Sequence, residues 1–223
     1  MGRIADNIKA IKDSIPADVQ LVAVSKFHTV EKLRQAYEAG QRLFGESRVQ
    51  ELSVKRPQLP DDVEWHFIGH LQTNKVRQLL GCVDVIDSVD SLRLLNVINT
   101  EAGKLGKRVK VLLQLHVALE EQKFGFSPEE LLSIAESGLA MNYGNIDFCG
   151  IMAMATNTED EAEIRKEFGY AKSVYSAMRS GAFSGCAHFN TISMGMSGDY
   201  QIAIEEGSTM IRIGTFIFGE REY

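Results

Sequence analysis

The stretch LVAVSKF, residues 21–27, runs from four apolar residues through Ser25 to Lys26 and Phe27. A short apolar run without alternation is typical of a parallel β-strand that is covered on both faces. Lys26 stands where this strand ends, so its ammonium group lies at the edge of the core that the strand helps to build. The stretch therefore predicts a buried first strand that carries a lysine at its carboxyl end.

Seven more apolar runs follow along the chain, and amphipathic helical patterns separate them. The runs cover residues 43–44, 65–68, 83–86, 109–117, 146–154, 191–196 and 210–218. The helical patterns cover residues 30–40, 47–56, 73–80, 91–105, 128–138, 159–180 and 199–206. A strand and its helix recur about every 27 residues, which is close to the size of a minimal βα unit.

Eight such units predict an α/β fold, a single (β/α)8 TIM barrel over residues 1–223 with no second β domain. The residues Ile4, Ile8, Ile11 and Ile15 repeat at helical spacing and predict an extra helix before the first strand. An open, doubly wound sheet is the main alternative, but it usually has fewer strands and a glycine-rich first turn. No GxGxxG motif follows the first strand, so the barrel is favoured.

Composition and charge narrow the classes of partner and compartment. The chain is 44% apolar and 24% charged with a net charge of −6, and its basic residues are scattered. Binding to nucleic acid needs clustered lysine and arginine, so we expect no nucleic-acid partner. No apolar stretch approaches the roughly 18 residues of a membrane span, and we expect no membrane association. The cysteines Cys82, Cys149 and Cys186 form no CxxC pair, which favours a reducing, cytoplasmic location and no metal site.

Two interpretations of Lys26 follow from its position. Burial at a strand end lowers the pKa of a lysine, and a neutral amine is the nucleophile of Schiff-base chemistry. Alternatively, the side chain extends to solvent or forms an ion pair, for which Glu46 is a candidate. Position alone leaves both interpretations open.

The last two strands carry a candidate phosphate site. The motifs SMGMSGD (193–199) and STMIRIGTFIFG (208–219) end strands seven and eight, where barrels frequently bind phosphate through backbone N–H groups. Arg212 lies two residues before Gly214, so both should point into the barrel mouth. The residues that allow close backbone approach or add hydroxyl donors are Gly195, Gly198, Gly214, Ser193, Ser197 and Thr215.

A lysine, a phosphate site and an inward arginine together fit a phosphorylated aldehyde. Pyridoxal 5′-phosphate (PLP) meets this description, because its aldehyde forms a Schiff base, its phosphate needs donors and its ring nitrogen lies between them. A Schiff-base aldolase that acts on a sugar phosphate would use the same groups. The residues alone leave both ligands open.

Five motifs make the chain resemble a known family over nearly its whole length. They are AVSKFH (23–28), FGESRVQE (44–51), WHFIGHLQTNK (65–75), GIMAMA (150–155) and SMGMSGDYQIAIEEGSTMIRIGTFIFGER (193–221). Together they resemble the YggS/PROSC family of PLP-binding homeostasis proteins. The resemblance implies a barrel of the alanine racemase N-terminal domain type, PLP fold type III, with the cofactor bound as an internal aldimine on Lys26.

The resemblance also implies roles for residues near the carboxyl terminus. It places the cofactor phosphate on Ser193, Gly214 and Thr215, with Met194 among the cofactor-binding residues and Arg212 near the pyridine nitrogen. An arginine there keeps its own proton and leaves the pyridine unprotonated, which weakens the electron sink.

The chain departs from the family pattern at one place. Ser47 and Arg48 stand where the family typically has asparagine and tyrosine. The asparagine usually lies near the cofactor, so Ser47 either makes a shorter contact there or leaves room for water. His70 stays within the family's usual range, and it either contacts the site or lies behind it.

The resemblance favours a carrier over an enzyme. A racemase of this architecture needs a second acid or base on the opposite face of the substrate, and a second domain that closes the site. No tyrosine is clearly placed for that role, although Tyr200 follows strand seven. We therefore expect a monomeric protein that buffers PLP or delivers it to PLP-dependent client enzymes. A small PLP-dependent amino-acid racemase or lyase, and the sugar-phosphate aldolase, are the alternatives.

Overall fold

A closed barrel of eight parallel strands forms the centre of the molecule. The computed structural model describes residues 2–118, 124–138 and 142–220. Neighbouring strands pair in chain order, and the last strand pairs with the first. The strands are β1 Gln20–Val24, β2 Leu43–Glu46, β3 Glu64–Phe67, β4 Val85–Val89, β5 Val109–Leu115, β6 Ile146–Ala153, β7 Thr191–Ser193 and β8 Met210–Ile213.

Helices connect the strands and pack outside the barrel. They are α1 Arg3–Ser14, α2 Val30–Glu38, α3 Val49–Lys55, α4 Val76–Leu79, α5 Leu92–Lys104, α6 Pro128–Glu136, α7 Glu161–Ser180, α8 Tyr200–Glu205 and α9 Thr215–Phe218. Short 3-10 turns at Arg56–Gln58 and Thr73–Lys75 follow α3 and precede α4. None of the helices in the described part of the chain is long and apolar enough to cross a membrane.

This architecture confirms the predicted (β/α)8 barrel and its extra N-terminal helix. Ile4, Ile8 and Ile11 are buried on one face of α1, at the spacing seen in the sequence. The helix contacts α2 and α9, which follow β1 and β8. It therefore covers the seam where the first strand meets the last.

The last apolar run does not form one strand. The sequence predicts a strand over residues 210–218, but β8 ends at Ile213 and Thr215–Phe218 forms α9. The backbone N–H groups of Ile217 and Phe218 donate to the Gly214 carbonyl, which begins this helix. Residues of both segments are buried, so hydropathy alone does not separate the strand from the helix.

Strand β6 contains a bulge that requires glycine. Its register against β5 shifts between Phe148 and Gly150, which leaves Cys149 as an extra residue. Gly150 has a φ of +151°, and a Cβ added there would overlap the carbonyl oxygen of Thr191 on β7. The close approach of β6 and β7 therefore depends on glycine at this position.

We expect Gly150→Ala to lower the free energy of unfolding by about 3 kcal/mol, because the added Cβ forces β6 and β7 apart. Denaturant unfolding followed by circular dichroism measures the change. Gly144→Ala is the matched control, since Gly144 precedes the same strand and has open space where its Cβ would lie. Its effect should stay within about 0.5 kcal/mol. Equal stability of the two variants would show that the bulge tolerates a side chain.

Candidate functional site

A cavity opens at the carboxyl ends of the strands, where TIM barrels bind their ligands. We call it the carboxyl-end cavity, and its volume is about 440 Å³. The ends of β1, β6 and β8 and the loop after β7 supply most of its walls. The lining includes Lys26, Met154, Ser197, Arg212, Gly214 and Thr215.

Lys26 reaches this cavity from the turn that follows β1. The next residue, Phe27, has a φ of +68°, which is a strained, left-handed conformation for a residue with a large side chain. The Phe27 N–H donates to Glu51 Oε2 at 2.9 Å. Glu51, on α3, therefore stabilises the backbone turn that carries Lys26.

A buried ion-pair network lies behind this turn. Lys55 Nζ donates to Glu46 Oε1 at 2.6 Å and to Glu51 Oε2 at 3.0 Å. It also donates to the Ser25 carbonyl at 2.9 Å, and Ser25 Oγ donates to Glu46 Oε1 at 2.8 Å. Burial raises the pKa of Glu46 by more than the Lys55 ammonium lowers it. Glu46, the candidate partner of Lys26, thus forms its ion pair with Lys55.

Arg212 enters the cavity from β8 and donates to neutral acceptors. Its Nη1 donates to the Ser193 carbonyl at 2.8 Å and to Ser193 Oγ at 2.7 Å, and its Nη2 donates to the Ala153 carbonyl at 3.0 Å. Burial lowers the pKa of Arg212, while the carboxylates of Asp87 and Asp199 act in the opposite direction. Three hydrogen bonds therefore hold the guanidinium in the barrel mouth. The position of Arg212 in the last strand predicts this orientation.

Gly214 allows β8 to approach β1 closely at the mouth. A Cβ at Gly214 would lie 3.2 Å from the Val24 carbonyl oxygen and 3.3 Å from Val24 Cβ. Thr215, the first residue of α9, lines the same cavity as Ser197 from the loop after β7. Hydroxyl-bearing residues from the loop after β7 and from the start of α9 therefore line one cavity, as the sequence predicts for a phosphate site.

Two predicted site residues lie beneath the carboxyl-end cavity. Ser193 is fully buried and its hydroxyl accepts from Arg212. Met194 belongs to the hydrophobic core. Direct contact of either residue with a cofactor stays a prediction.

Ser47 and His70 lie in a neighbouring, smaller cavity of about 220 Å³, formed by the loops after β2 and β3. His70 Nδ1 lies 2.9 Å from Asp90 Oδ2. The imidazole also stacks on Phe124, with ring centroids 3.8 Å apart. The structure thus places Ser47 and His70 in one cavity and Lys26 in another. Contact of Ser47 or His70 with the cofactor stays a prediction.

Several residues that line the cavity are not among the site residues predicted from the sequence. His28, Asn157 and Met196 line the carboxyl-end cavity, and the His28 ring packs on Phe218 at a centroid distance of 4.9 Å. His28 and Asn157 each lie a few residues after the end of a strand, and that position is the signal that identifies them. Lys55, which belongs to the ion-pair network behind the Lys26 turn, cannot be identified in this way, because it lies within a helix and does not follow a strand.

A family model and individual relatives match the chain over nearly its full length. The model for alanine racemase, N-terminal domain, matches residues 1–222. The pyridoxal phosphate homeostasis protein of Aquifex aeolicus (strain VF5) is 38% identical over 205 residues, which cover 92% of this chain and 88% of that protein.

Solved structures give the same result. PipY of Synechococcus elongatus PCC7942 is 36% identical, and the alignment covers 97% of this chain and all of PipY. The TM-score is 0.91 for PipY without PLP and 0.87 for PipY with PLP bound. The chain therefore belongs to the family of the alanine racemase N-terminal domain, in which its relatives include pyridoxal phosphate homeostasis proteins.

Proposed function

We propose that the chain binds PLP in the carboxyl-end cavity, joined to Lys26, and that it serves PLP homeostasis by buffering or carrying the cofactor. The observation that carries this proposal is that Lys26, Arg212, Gly214 and Thr215 surround one cavity. The structure of PipY with PLP bound, at 36% identity, supports it. The name of the Aquifex aeolicus relative supports the homeostasis role.

The residues of the cavity fit this cofactor. Lys26 supplies an amine, which condenses with an aldehyde and releases one water molecule. Gly214 lines the cavity with its backbone, and Ser197 and Thr215 offer hydroxyl donors to a phosphate. The volume of about 440 Å³ lies within the usual range for small-molecule sites.

Arg212 favours storage of the cofactor over turnover of amino acids. A guanidinium keeps its proton at neutral pH, so beside a pyridine nitrogen it donates a hydrogen bond without transferring a proton. When bound, PLP supplies an electron sink for carbanion chemistry, and that sink is weaker while the pyridine is unprotonated.

The lining of the cavity supports the same role. Racemisation needs a second acid or base that faces the substrate from the opposite side. Among the described residues of the lining, there is no carboxylate and no tyrosine, which leaves His28 as the candidate for this second base. The hydroxyl of Tyr200 lies 3.5 Å from Ser14 Oγ on α1, outside this cavity. A monomeric state, a cytoplasmic location and delivery to PLP-dependent client enzymes remain predictions.

Lys26→Ala should abolish the visible absorption band that PLP forms with the purified protein, because Lys26 is the lysine that the described lining contains. Wild type should retain one equivalent of PLP after gel filtration, and borohydride reduction followed by peptide mass spectrometry should locate it on Lys26.

Lys9→Ala is the matched control, since Lys9 is an exposed lysine of α1 that pairs with Asp13. It should bind PLP as wild type does. A band that persists in Lys26→Ala would contradict the assignment of the lysine. Absence of a band in wild type would discard the PLP proposal, and borohydride trapping of a sugar phosphate would then test the aldolase alternative.

PLP-loaded wild type should exchange the α-proton of L-alanine no faster than free PLP does, because Arg212 leaves the electron sink weak. Proton NMR in deuterated water measures this exchange. His28 is the lining residue that could act as a second base. Exchange well above that of free PLP, lost in His28→Asn, would support the racemase or lyase alternative and overturn the carrier role.

Glu51→Ala should weaken PLP binding about tenfold, because the strained turn at Phe27 loses the carboxylate that accepts its N–H. A spectral titration measures the dissociation constant. Gln50→Ala, at an exposed neighbouring position of α3, is the control and should bind as wild type does. Unchanged affinity in Glu51→Ala, with the band still present, would show that Glu51 does not position Lys26.

A further inference from the structure

Lys55 places a buried ammonium group behind the turn that follows β1. It is the last residue of α3, and its side chain is 8% exposed. Its Nζ donates three hydrogen bonds, to Glu46 Oε1, to Glu51 Oε2 and to the Ser25 carbonyl. A neutral amine has only two N–H groups, so three donated bonds require the protonated form. Lys55 is therefore a cation whose three donors are all in use.

The residues before and after Lys26 are both tied to this cation. The carbonyl of Ser25 accepts directly from Lys55 Nζ at 2.9 Å. The N–H of Phe27 donates to Glu51 Oε2 at 2.9 Å, and the same oxygen accepts from Lys55 Nζ at 3.0 Å. One ammonium group thus holds the backbone on both sides of the lysine that lines the carboxyl-end cavity.

The turn that these bonds hold has an unfavourable backbone conformation. The His28 N–H donates to the Ser25 carbonyl at 3.1 Å, which closes a four-residue turn. The third residue of the turn, Phe27, has a φ of +68°. Turns with positive φ at this position favour glycine or asparagine, because other side chains are crowded there. We expect the turn to relax when its tethers are lost, and the direction of the Lys26 side chain would change with it.

The charges in contact with Lys55 are balanced. Glu46 and Glu51 are the carboxylates that it contacts, and Arg48 Nη1 lies 3.9 Å from the other oxygen of Glu51. Two cations therefore face two carboxylates. Removal of Lys55 alone would leave the fully buried carboxylate of Glu46 without its cation, which is costly. A neutral side chain at this position thus removes both the tether and the charge balance.

We propose that Lys55 is a positioning residue for Lys26: it holds the strained turn in the conformation that directs the amine into the carboxyl-end cavity. The consequence for cofactor binding rests on the proposed function. The state of the turn itself does not, and it is measured without PLP.

The first measurement uses the full chain purified without PLP and follows amide hydrogen exchange by NMR. Lys55→Met should accelerate exchange of the Phe27 and His28 amides about tenfold, with little change in the barrel strands. Lys104→Met is the matched control, since Lys104 is an exposed lysine that also ends a helix, α5. It should exchange as wild type does. Unchanged exchange of both amides in Lys55→Met would overturn the proposal.

A double-mutant cycle with Phe27→Gly tests whether strain in the turn is the cause. Glycine adopts positive φ without a steric cost, so the turn should then need its tethers less. Lys55→Met should therefore accelerate exchange of the His28 amide much less in the Phe27→Gly background. Equal acceleration in both backgrounds would show that Lys55 only stabilises the fold, and would overturn the proposal. If Lys55→Met does not fold, Glu46→Gln/Lys55→Met replaces it, because both members of the buried pair are then removed.

The second measurement adds PLP and records visible absorption and circular dichroism. Lys55→Met should bind PLP about tenfold more weakly, and the visible circular dichroism for each bound PLP should fall, because the cofactor is no longer held in one orientation. Lys55→Arg keeps the charge and the donors, so it should recover both signals in part.

The two measurements separate this proposal from the proposed function. Faster exchange in Lys55→Met without a PLP band in wild type would reject PLP binding and support the role of Lys55 in holding the turn. Faster exchange with wild-type affinity and circular dichroism would show that the turn does not direct Lys26, and would overturn the proposal.

Discussion

Strand β1 pairs with strand β8, from Gln20 opposite Met210 onward, and this pairing closes the sheet. Each described strand then has two hydrogen-bonded neighbours, so the barrel presents no open edge between them. The same pairing sets the carboxyl end of β1 beside that of β8. Lys26 therefore lines the same cavity as Arg212 and Gly214, although nearly the whole chain separates them. The carboxyl-end cavity depends on this closure, because neither strand carries both the amine and the guanidinium.

The interior of the barrel carries charged groups where such barrels commonly hold layers of branched apolar side chains. Arg212, Asp87 and His66 are all buried there. Removing charges from water is costly, and an ion pair recovers that cost only with good geometry. Apolar residues of similar size would serve stability at least as well. Stability therefore does not explain the polar interior, and the proposed cofactor site at the carboxyl ends of the strands gives Arg212 a role there.

Much of the fold and part of the site follow from local pattern in the sequence. Apolar runs predicted the eight strands, because parallel strands covered on both faces leave a continuous signal. Lys26, Arg212 and Gly214 could be placed at one mouth, since all carboxyl ends of a parallel barrel lie on the same side. The predicted end of β8 was wrong, because the buried helix α9 continues the apolar run.

Other parts of the site depend on contacts that one sequence does not reveal. Ser47 and His70 also follow strands, but the direction of each loop, which the pattern does not encode, places them in a separate cavity. The partners of Glu46 and of His66 are set by packing between elements. His66 also lies in an apolar run, where inward and outward residues look alike because both faces of the strand are covered.

The seam between β1 and β8 also has a consequence for biosynthesis. A ribosome releases β1 early and β8 late, and elements near the start of a chain begin to fold first. Until β8 is made, β1 has one neighbour instead of two, and the wall that holds Arg212 does not exist. The lysine gains its complete surroundings when the last strand docks. A chain that was truncated before β8 therefore cannot form the carboxyl-end cavity, because Arg212, Gly214 and Thr215 would be missing from it.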